Sequence, residues 1–298
     1  MIDLTELYVE IDDFCRKFVA SLTESLIGNE KMITVDTRGL SLSEVLTILV
    51  YYHFSKINCI KHYYLIKLAS GFKKDFPHMP SYNRFVERIP EVAVLAVVYL
   101  QYRQAKFEGA GYIDATPLRV SHNKRTGSHK VFKLTAKLGK SSMGWFYGFK
   151  LHVICDFGGN IVKCKITNGA ANDLKIGAKM MKDLKGKIYA DKGYIGKKEF
   201  LNLLDQGLIL ITGIKKNMKN RLLEMWDKIL LKKRSLIESV YNILKNVLHL
   251  EHSRHRSIIN GGIYYITTLI AYCWKLNKPQ LKFTKREVQL LQALALPC

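Results

Sequence analysis

The chain has 298 residues, 48% of them hydrophobic, enough to bury one large core or two ordinary ones, so a disordered basic tail is excluded. Lysine and arginine number 47 against 25 aspartates and glutamates, a formal net charge of +22. A folded protein with that surplus repels itself unless a polyanion neutralises it, which points to DNA, RNA or an anionic membrane surface without choosing among them.

The first thirteen residues carry Asp3, Glu6, Glu10, Asp12 and Asp13 and no base, the reverse of a secretory leader. The apolar stretches at 92–100 and 263–274 are too short to span a bilayer. The six cysteines, at 15, 59, 155, 164, 273 and 298, form no C-x-x-C pair. Free thiols in a reducing compartment are therefore expected, with no disulfide framework, and the expected location is the cytoplasm.

Residues 1–107 read as helical. Apolar residues recur at spacings of three and four over 2–18. Ser41 with Glu44, just before Val45-Leu46, predicts a capping box at a second helix start. Pro77, Pro80 and Pro90 divide the later part into short helices, and Ser81 after Pro80 suits a helix start that presents Tyr82, Asn83 and Arg84. Such a domain has the form of a DNA-binding helix-turn-helix, and equally that of a bundle that only packs against the rest.

From residue 110 the pattern changes to short β-rich runs. Strands are predicted at 111–120, 146–155 and 161–167, with Asp156-Phe157-Gly158-Gly159-Asn160 as a tight hairpin turn between the last two. A helix at 174–184, a strand at 187–190, a helix at 197–206, a strand at 208–214 and a helix at 234–248 follow. The expected class is α/β, a mixed sheet, antiparallel first and parallel later, with flanking helices. This is the element order of the ribonuclease H fold, preceded here by a helical N-terminal domain. Gly193, Gly196 and Lys197 lack the spacing of a nucleotide-binding P-loop.

Three acids carry the candidate chemistry. Asp114 sits within an apolar strand, where a buried carboxylate needs a metal or a cationic partner; alternation could equally turn it to solvent. Asp191 ends the strand at 187–190, where ligand groups gather in sheets with helical crossovers; it reads equally as a turn aspartate. On the helix at 234–248, Arg234, Glu238, Asn242 and Lys245 share one face, opposite Leu236, Val240, Ile243 and Val247. A salt-bridged surface helix has the same pattern. Together, carboxylates from a central strand, a neighbouring strand end and a helix can hold two divalent cations about 3.5–4 Å apart for an in-line phosphoryl displacement. All-oxygen ligands suit Mg²⁺ or Mn²⁺; zinc would want histidine or cysteine, and His122, His129, His152 and Cys155 match no familiar zinc spacing.

From Ala115 through Cys155 there is no acid, yet Arg119, Lys124, Arg125, Lys130, Lys133, Lys137, Lys140 and Lys150 are present. A one-signed run beside a carboxylate cluster suits phosphates lying across it, with counterion release supplying affinity; the alternative is a solvated lysine-rich loop. Further bases stand at Lys215, Lys216, Lys219, Arg221, Arg254 and Arg256.

Five segments then form a signature in order. They are Ser81-Tyr82-Asn83-Arg84-Phe85-Val86-Glu87, Ile113-Asp114-Ala115-Thr116-Pro117-Leu118, residues 144–152, Ala190-Asp191-Lys192-Gly193-Tyr194-Ile195, and Arg234 through Glu238 to Lys245 and on to Ser257. In these the chain resembles the DDE transposases of insertion sequences, most closely insertion sequence family 982, over nearly its whole length. The resemblance implies an end-binding helical region at 1–107 and a ribonuclease H-like catalytic domain at 108–280. A tail at 281–298 has no assigned role. It implies that Asp114, Asp191 and Glu238 are catalytic and hold two Mg²⁺ (or Mn²⁺) ions. Arg234 and Lys245 match the arginine before and the lysine after the glutamate, which would hold DNA near the scissile phosphate; where some related families place a tyrosine, this chain has Leu231. Such enzymes cleave double-stranded DNA at terminal inverted repeats and transfer the 3′-hydroxyl ends to target DNA, as homo-oligomers on paired ends, associated with the prokaryotic nucleoid and not with a membrane. Two other readings stay open: a nuclease of the same fold, and a DNA-binding descendant without chemistry.

Overall fold

The computed structural model of the protein describes residues 2–25, 39–68, 71–214, 223–251 and 255–288. Lys215, Lys216, Lys219, Arg221 and Arg254, and the tail beyond residue 288, lie outside the described residues. In chain order the helices are α1 (Leu4–Ser25), α2 (Leu42–Tyr52), α3 (Tyr82–Arg88), α4 (Ala93–Arg103), α5 (Asp173–Met181), α6 (Lys197–Asp205), α7 (Met225–Lys232), α8 (Ser235–Asn242) and α9 (Ile258–Trp274). The strands are β1 (Ala110–Ser121), β2 (Lys137–Ser141), β3 (Gly144–Cys155), β4 (Ile161–Asn168), β5 (Gly186–Ala190) and β6 (Leu208–Thr212). Shorter helical turns are named by their residues. Two compact units result: Met1–Arg103 with Ile243–Leu276, and Gln104–Asn242 with Asn277–Cys298.

The first unit is helical. The capping box at α2 forms as its sequence predicts: the Glu44 amide donates to Ser41 Oγ at 3.1 Å and the Ser41 amide to the Glu44 carboxylate at 2.5 Å. From Val45 onward every residue of α2 is buried, as befits a helix apolar all round, and α1 and α9 pack against it. Ser81 caps α3, leaving Asn83 and Arg84 exposed and Tyr82 half-buried. Among the described residues no helix is long and apolar enough to cross a membrane.

The second unit is a mixed sheet with helices on its faces. Its strand order is β2-β3-β1-β5-β6, with β4 also paired to β3. The long β3 explains the branch: residues 144–148 pair with β2 and residues 149–155 with β4, while β1 takes its other edge. β1, β3 and their outer neighbours run antiparallel; β1, β5 and β6 run parallel. Alternation then divides the residues of β1 between two layers. Ile113 joins Ile154, Ile188, Ala190, Leu208 and Leu210 in a core closed by Met180 and Met181 of α5 and Leu203 of α6. Tyr112 faces the other way and donates to the Leu230 carbonyl of α7 at 2.9 Å.

Two expectations are corrected here. The segment before β3 contains the unforeseen β2, whose Lys-Leu-Gly-Lys-Ser has little strand preference. The helix expected at 234–248 is α-helical only as α8, then passes into a π-turn at Ile243–Val247. A π-turn adds a residue to the repeat, so Lys245 does not continue the face that Glu238 begins.

β5 is held by specific contacts. The buried Asp227 of α7 accepts from Tyr189 Oη at 2.7 Å and from Lys187 Nζ at 3.1 Å. At its start, Gly186 has φ +117°, and a Cβ there would lie 2.1 Å from the Gly109 carbonyl oxygen. Gly186→Ala is therefore expected to cost about 2 kcal/mol or more of stability from backbone strain and the displaced β1–β5 pairing. Urea unfolding measures it, and an unchanged midpoint would contradict this role.

On β3, His152 is fully buried, with Nε2 2.9 Å from Thr167 Oγ1 and Nδ1 4.0 Å from Asp173. Buried Lys150 donates to Asp173 at 2.9 Å and to the Ala171 carbonyl at 3.0 Å. Burial, helped by Lys150 and Lys165 and opposed by Asp173, pushes the His152 imidazole down to about 4, so it is neutral at pH 7. The folded state then binds fewer protons than the unfolded chain between pH 6.5 and 4, so stability is full above pH 6.5 and declines as pH falls through that window, by roughly 2–3 kcal/mol. Equilibrium unfolding of His152→Gln is expected to decline less steeply over the window than wild type; parallel curves would contradict the assignment.

Candidate active site

The sheet's parallel half sets up the site. The last β1–β5 pair is Tyr112↔Tyr189; two residues further along each chain come Asp114 and Asp191. Partners in a parallel ladder share a face, so both acids leave the carboxyl ends of adjacent pairing on the side where Tyr112 and Tyr189 lie. Asp114 still belongs to β1, opposite Val153 of β3, whereas Asp191 follows β5 and opens the turn Lys192–Tyr194.

Glu238 arrives from α8, and a residue that the sequence reading passed over fixes its height. Tyr241, one turn further on, donates its hydroxyl to the Asp114 main-chain carbonyl at 2.7 Å. The helix that carries the third acid is thus pinned to the residue that supplies the first. The spacing of three from Glu238 was the available signal.

The three carboxylates converge on one guanidinium. Arg234 Nη1 lies 3.4 Å from Asp114 Oδ2, and Nη2 lies 4.0 Å from Asp191 Oδ1 and 4.0 Å from Glu238 Oε1. Side-chain exposure rises from 22% at Asp114 to 58% at Asp191 and 64% at Glu238, so the site opens outward from β1. Burial pushes the Asp114 carboxyl up to about 6; Arg234 and the Ala115 amide oppose the shift, and Asp191 and Glu238 add to it. Among the described residues no three His, Cys, Asp or Glu side chains are arranged to hold a metal ion directly. At this site the guanidinium lies among the carboxylates.

The basic residues of 119–137 lie further along β1 and on the segment that follows it. Arg119 is exposed on β1, Lys124 and Arg125 on the turn Asn123–Arg125, Lys130 and Lys133 on the following loop, and Lys137 on β2. That loop is anchored, since Phe132 and Ala136 are buried against Tyr147, with Val120, Val131 and Phe149 around them. His129 packs on the Phe132 and Tyr147 rings, and Asn123 donates to the Trp145 carbonyl at 2.8 Å. Leu134 on that loop, Met143 between β2 and β3, and Trp145 on β3 are also exposed, a feature that charge counting alone does not register. Lys150, by contrast, is turned inward to Asp173. Lys245 and Arg256 belong to the first unit, where Lys245 pairs with Glu251 at 3.1 Å and Arg256 is exposed.

Comparison with known proteins accords with this geometry. Residues 104–258, just over half of the chain, match the family model described as the transposase DDE domain, and the matched span contains Asp114, Asp191 and Glu238. Among curated proteins no match is found. The chain belongs to the transposase DDE domain family, and it is a transposase, a nucleic-acid-modifying enzyme whose partner is DNA.

Proposed function

We propose that Asp114, Asp191 and Glu238 are the catalytic acids of a ribonuclease H-like domain that cleaves DNA at the terminal inverted repeats of an insertion sequence and joins the 3′-hydroxyl ends to target DNA. The observation that carries the reading is the convergence of the three carboxylates on the Arg234 guanidinium. Three separated segments have no structural need to bring like charges together, and the group that pairs with all three among the described residues is a cation, Arg234. The donor set is all oxygen, the chemistry that suits Mg²⁺ or Mn²⁺ and not zinc, so in chemical type these residues fit the divalent ions that the family implies, in the place the Arg234 guanidinium takes here. When bound, such a pair supplies an activated attacking hydroxyl and a stabilised leaving oxygen.

The chain's own residues do the positioning. Asp114, the least exposed of the three, has lost most hydration and gains most from a neighbouring cation. Tyr241 holds the Asp114 main chain, and through α8 it holds Glu238. Arg234, released from the carboxylates, holds a DNA phosphate beside them. The anchored basic loop, with Lys124, Arg125, Lys130, Lys133 and Lys137 outward, lays the duplex along the sheet edge. The helical region at 1–107 binds the element ends, and the enzyme acts as a homo-oligomer on paired ends in the prokaryotic cytoplasm, as in insertion sequence family 982.

Joining of the DNA that flanks the gene, assayed with Mg²⁺ or Mn²⁺, tests the acids. Asp114→Asn, Asp191→Asn and Glu238→Gln are each expected to lower joining by a factor on the order of 10³ while DNA affinity stays near wild type. Equal loss of affinity and folding would count against the assignment, and cleavage without joining by wild type would make the protein a nuclease.

The basic loop has its own measurement. Neutralising Lys133 and Lys137 together is expected to flatten the slope of log affinity against log salt by about 2, one unit for each lost phosphate contact. An unchanged slope would leave the loop as a solvated surface.

A further inference from the structure

Strands β2 and β3 form a hairpin that runs on past the end of β1. The last β1–β3 partners are Ser121 and Tyr147, so Trp145 has β2 on one side and no strand on the other. On that open side the Asn123 side chain donates to the Trp145 carbonyl at 2.8 Å. Within the hairpin Lys140 stands opposite Trp145 and Leu138 opposite Tyr147, so alternation puts these four residues on one face.

That face is apolar where it meets water. Tyr147 is buried with Phe132, but Leu138 is 48% exposed and Trp145 59%. Met143, in the turn between the strands, is 84% exposed. Phe146, on the opposite face, is fully buried, so the hairpin is seated and its other side is the one presented. The solvated side of an antiparallel pair is normally polar. Here it carries an indole, with the Lys140 ammonium 5.9 Å from its ring.

Charge selects the occupant. Residues 115–155 contain no acid, Lys137 and Lys140 belong to the hairpin, and Lys124 and Arg125 sit on the turn that Asn123 opens. A second copy of the chain, itself at +22, would bring like charge to this surface. A nucleic acid brings phosphates for the ammonium groups and flat apolar faces for the indole. Stacking covers base faces inside a duplex, so the faces on offer are those of unpaired bases.

We infer that the β2–β3 hairpin is a binding site for unpaired DNA, in which Trp145 stacks on a base and Lys140 meets the adjoining phosphate. The inference needs DNA as the partner and is independent of which residues cleave it.

Affinity for two probes tests it: a fully paired duplex of the DNA flanking the gene, and the same duplex with several bases unpaired at one end. Trp145→Ala is expected to bind the unpaired probe about tenfold more weakly than wild type does and the paired probe within twofold. Trp145→Phe, which keeps a stacking ring, is expected to retain most of the affinity. The slope of log affinity against log salt is expected to stay at the wild-type value in Trp145→Ala, because a stacked base releases no counterion. Equal weakening on both probes, or none on either, would overturn the inference. A wild-type oligomer that Trp145→Ala dissociates without DNA would also overturn it, since the face would then join copies of the chain. Wild type alone supplies a second measurement, independent of how the variant folds. Its binding is expected to quench 2-aminopurine placed in the unpaired strand, and undiminished fluorescence would equally sink the stacking.

Discussion

Carboxylates held close together repel, by about 4 kcal/mol for two unit charges 4 Å apart near a protein surface, so a fold that gathers three of them must hold them against that force. Much of the second unit can be understood as the means of doing so. The parallel register of β1 and β5 brings Asp114 and Asp191 side by side. Gly186 admits the close pairing at the start of β5, and Asp227 ties the strand to α7 through Lys187 and Tyr189. Tyr241 locks α8 to the carbonyl of Asp114. Arg234 supplies the opposite charge, and its removal would leave Asp114 half-buried beside two like charges.

A local excess of negative charge within a chain of net charge +22 is informative in itself. The acids occupy one spot at the strand ends, whereas the bases are spread over an anchored loop, a strand and a turn. That division suits a polyanion drawn in over a wide surface and handled chemically at one point. The aromatic satellite core beneath the loop matters here. Phe132, Ala136 and Tyr147 fix the lysines on a surface, so phosphate contacts do not have to order a free chain.

The sequence made the strands of the sheet readable wherever apolar residues run or alternate, as in β1, β3, β4, β5 and β6, and it made the α2 cap readable because a capping box is a local device. β2 escaped because its residues carry little strand preference and its place is set by β3. The π-turn after α8 escaped because the apolar spacing of Ile243 and Val247 continues a 3.6-residue repeat that the backbone does not keep. The acids were visible singly as ambiguous residues and jointly through the family resemblance. Their supports were not visible: Asp227 finds its partners 38 and 40 positions away and Tyr241 finds Asp114 127 positions away, separations over which local pattern carries no signal.

The central claim is that the three carboxylates form one cation-binding site now shared with Arg234. Calorimetric titration of wild type and Asp114→Asn with Mn²⁺, in the absence of DNA, addresses it most directly. The account predicts saturable binding by wild type that weakens at least tenfold in Asp114→Asn, with both proteins equally folded. Equal binding by the two, or weakening accompanied by unfolding, would contradict it.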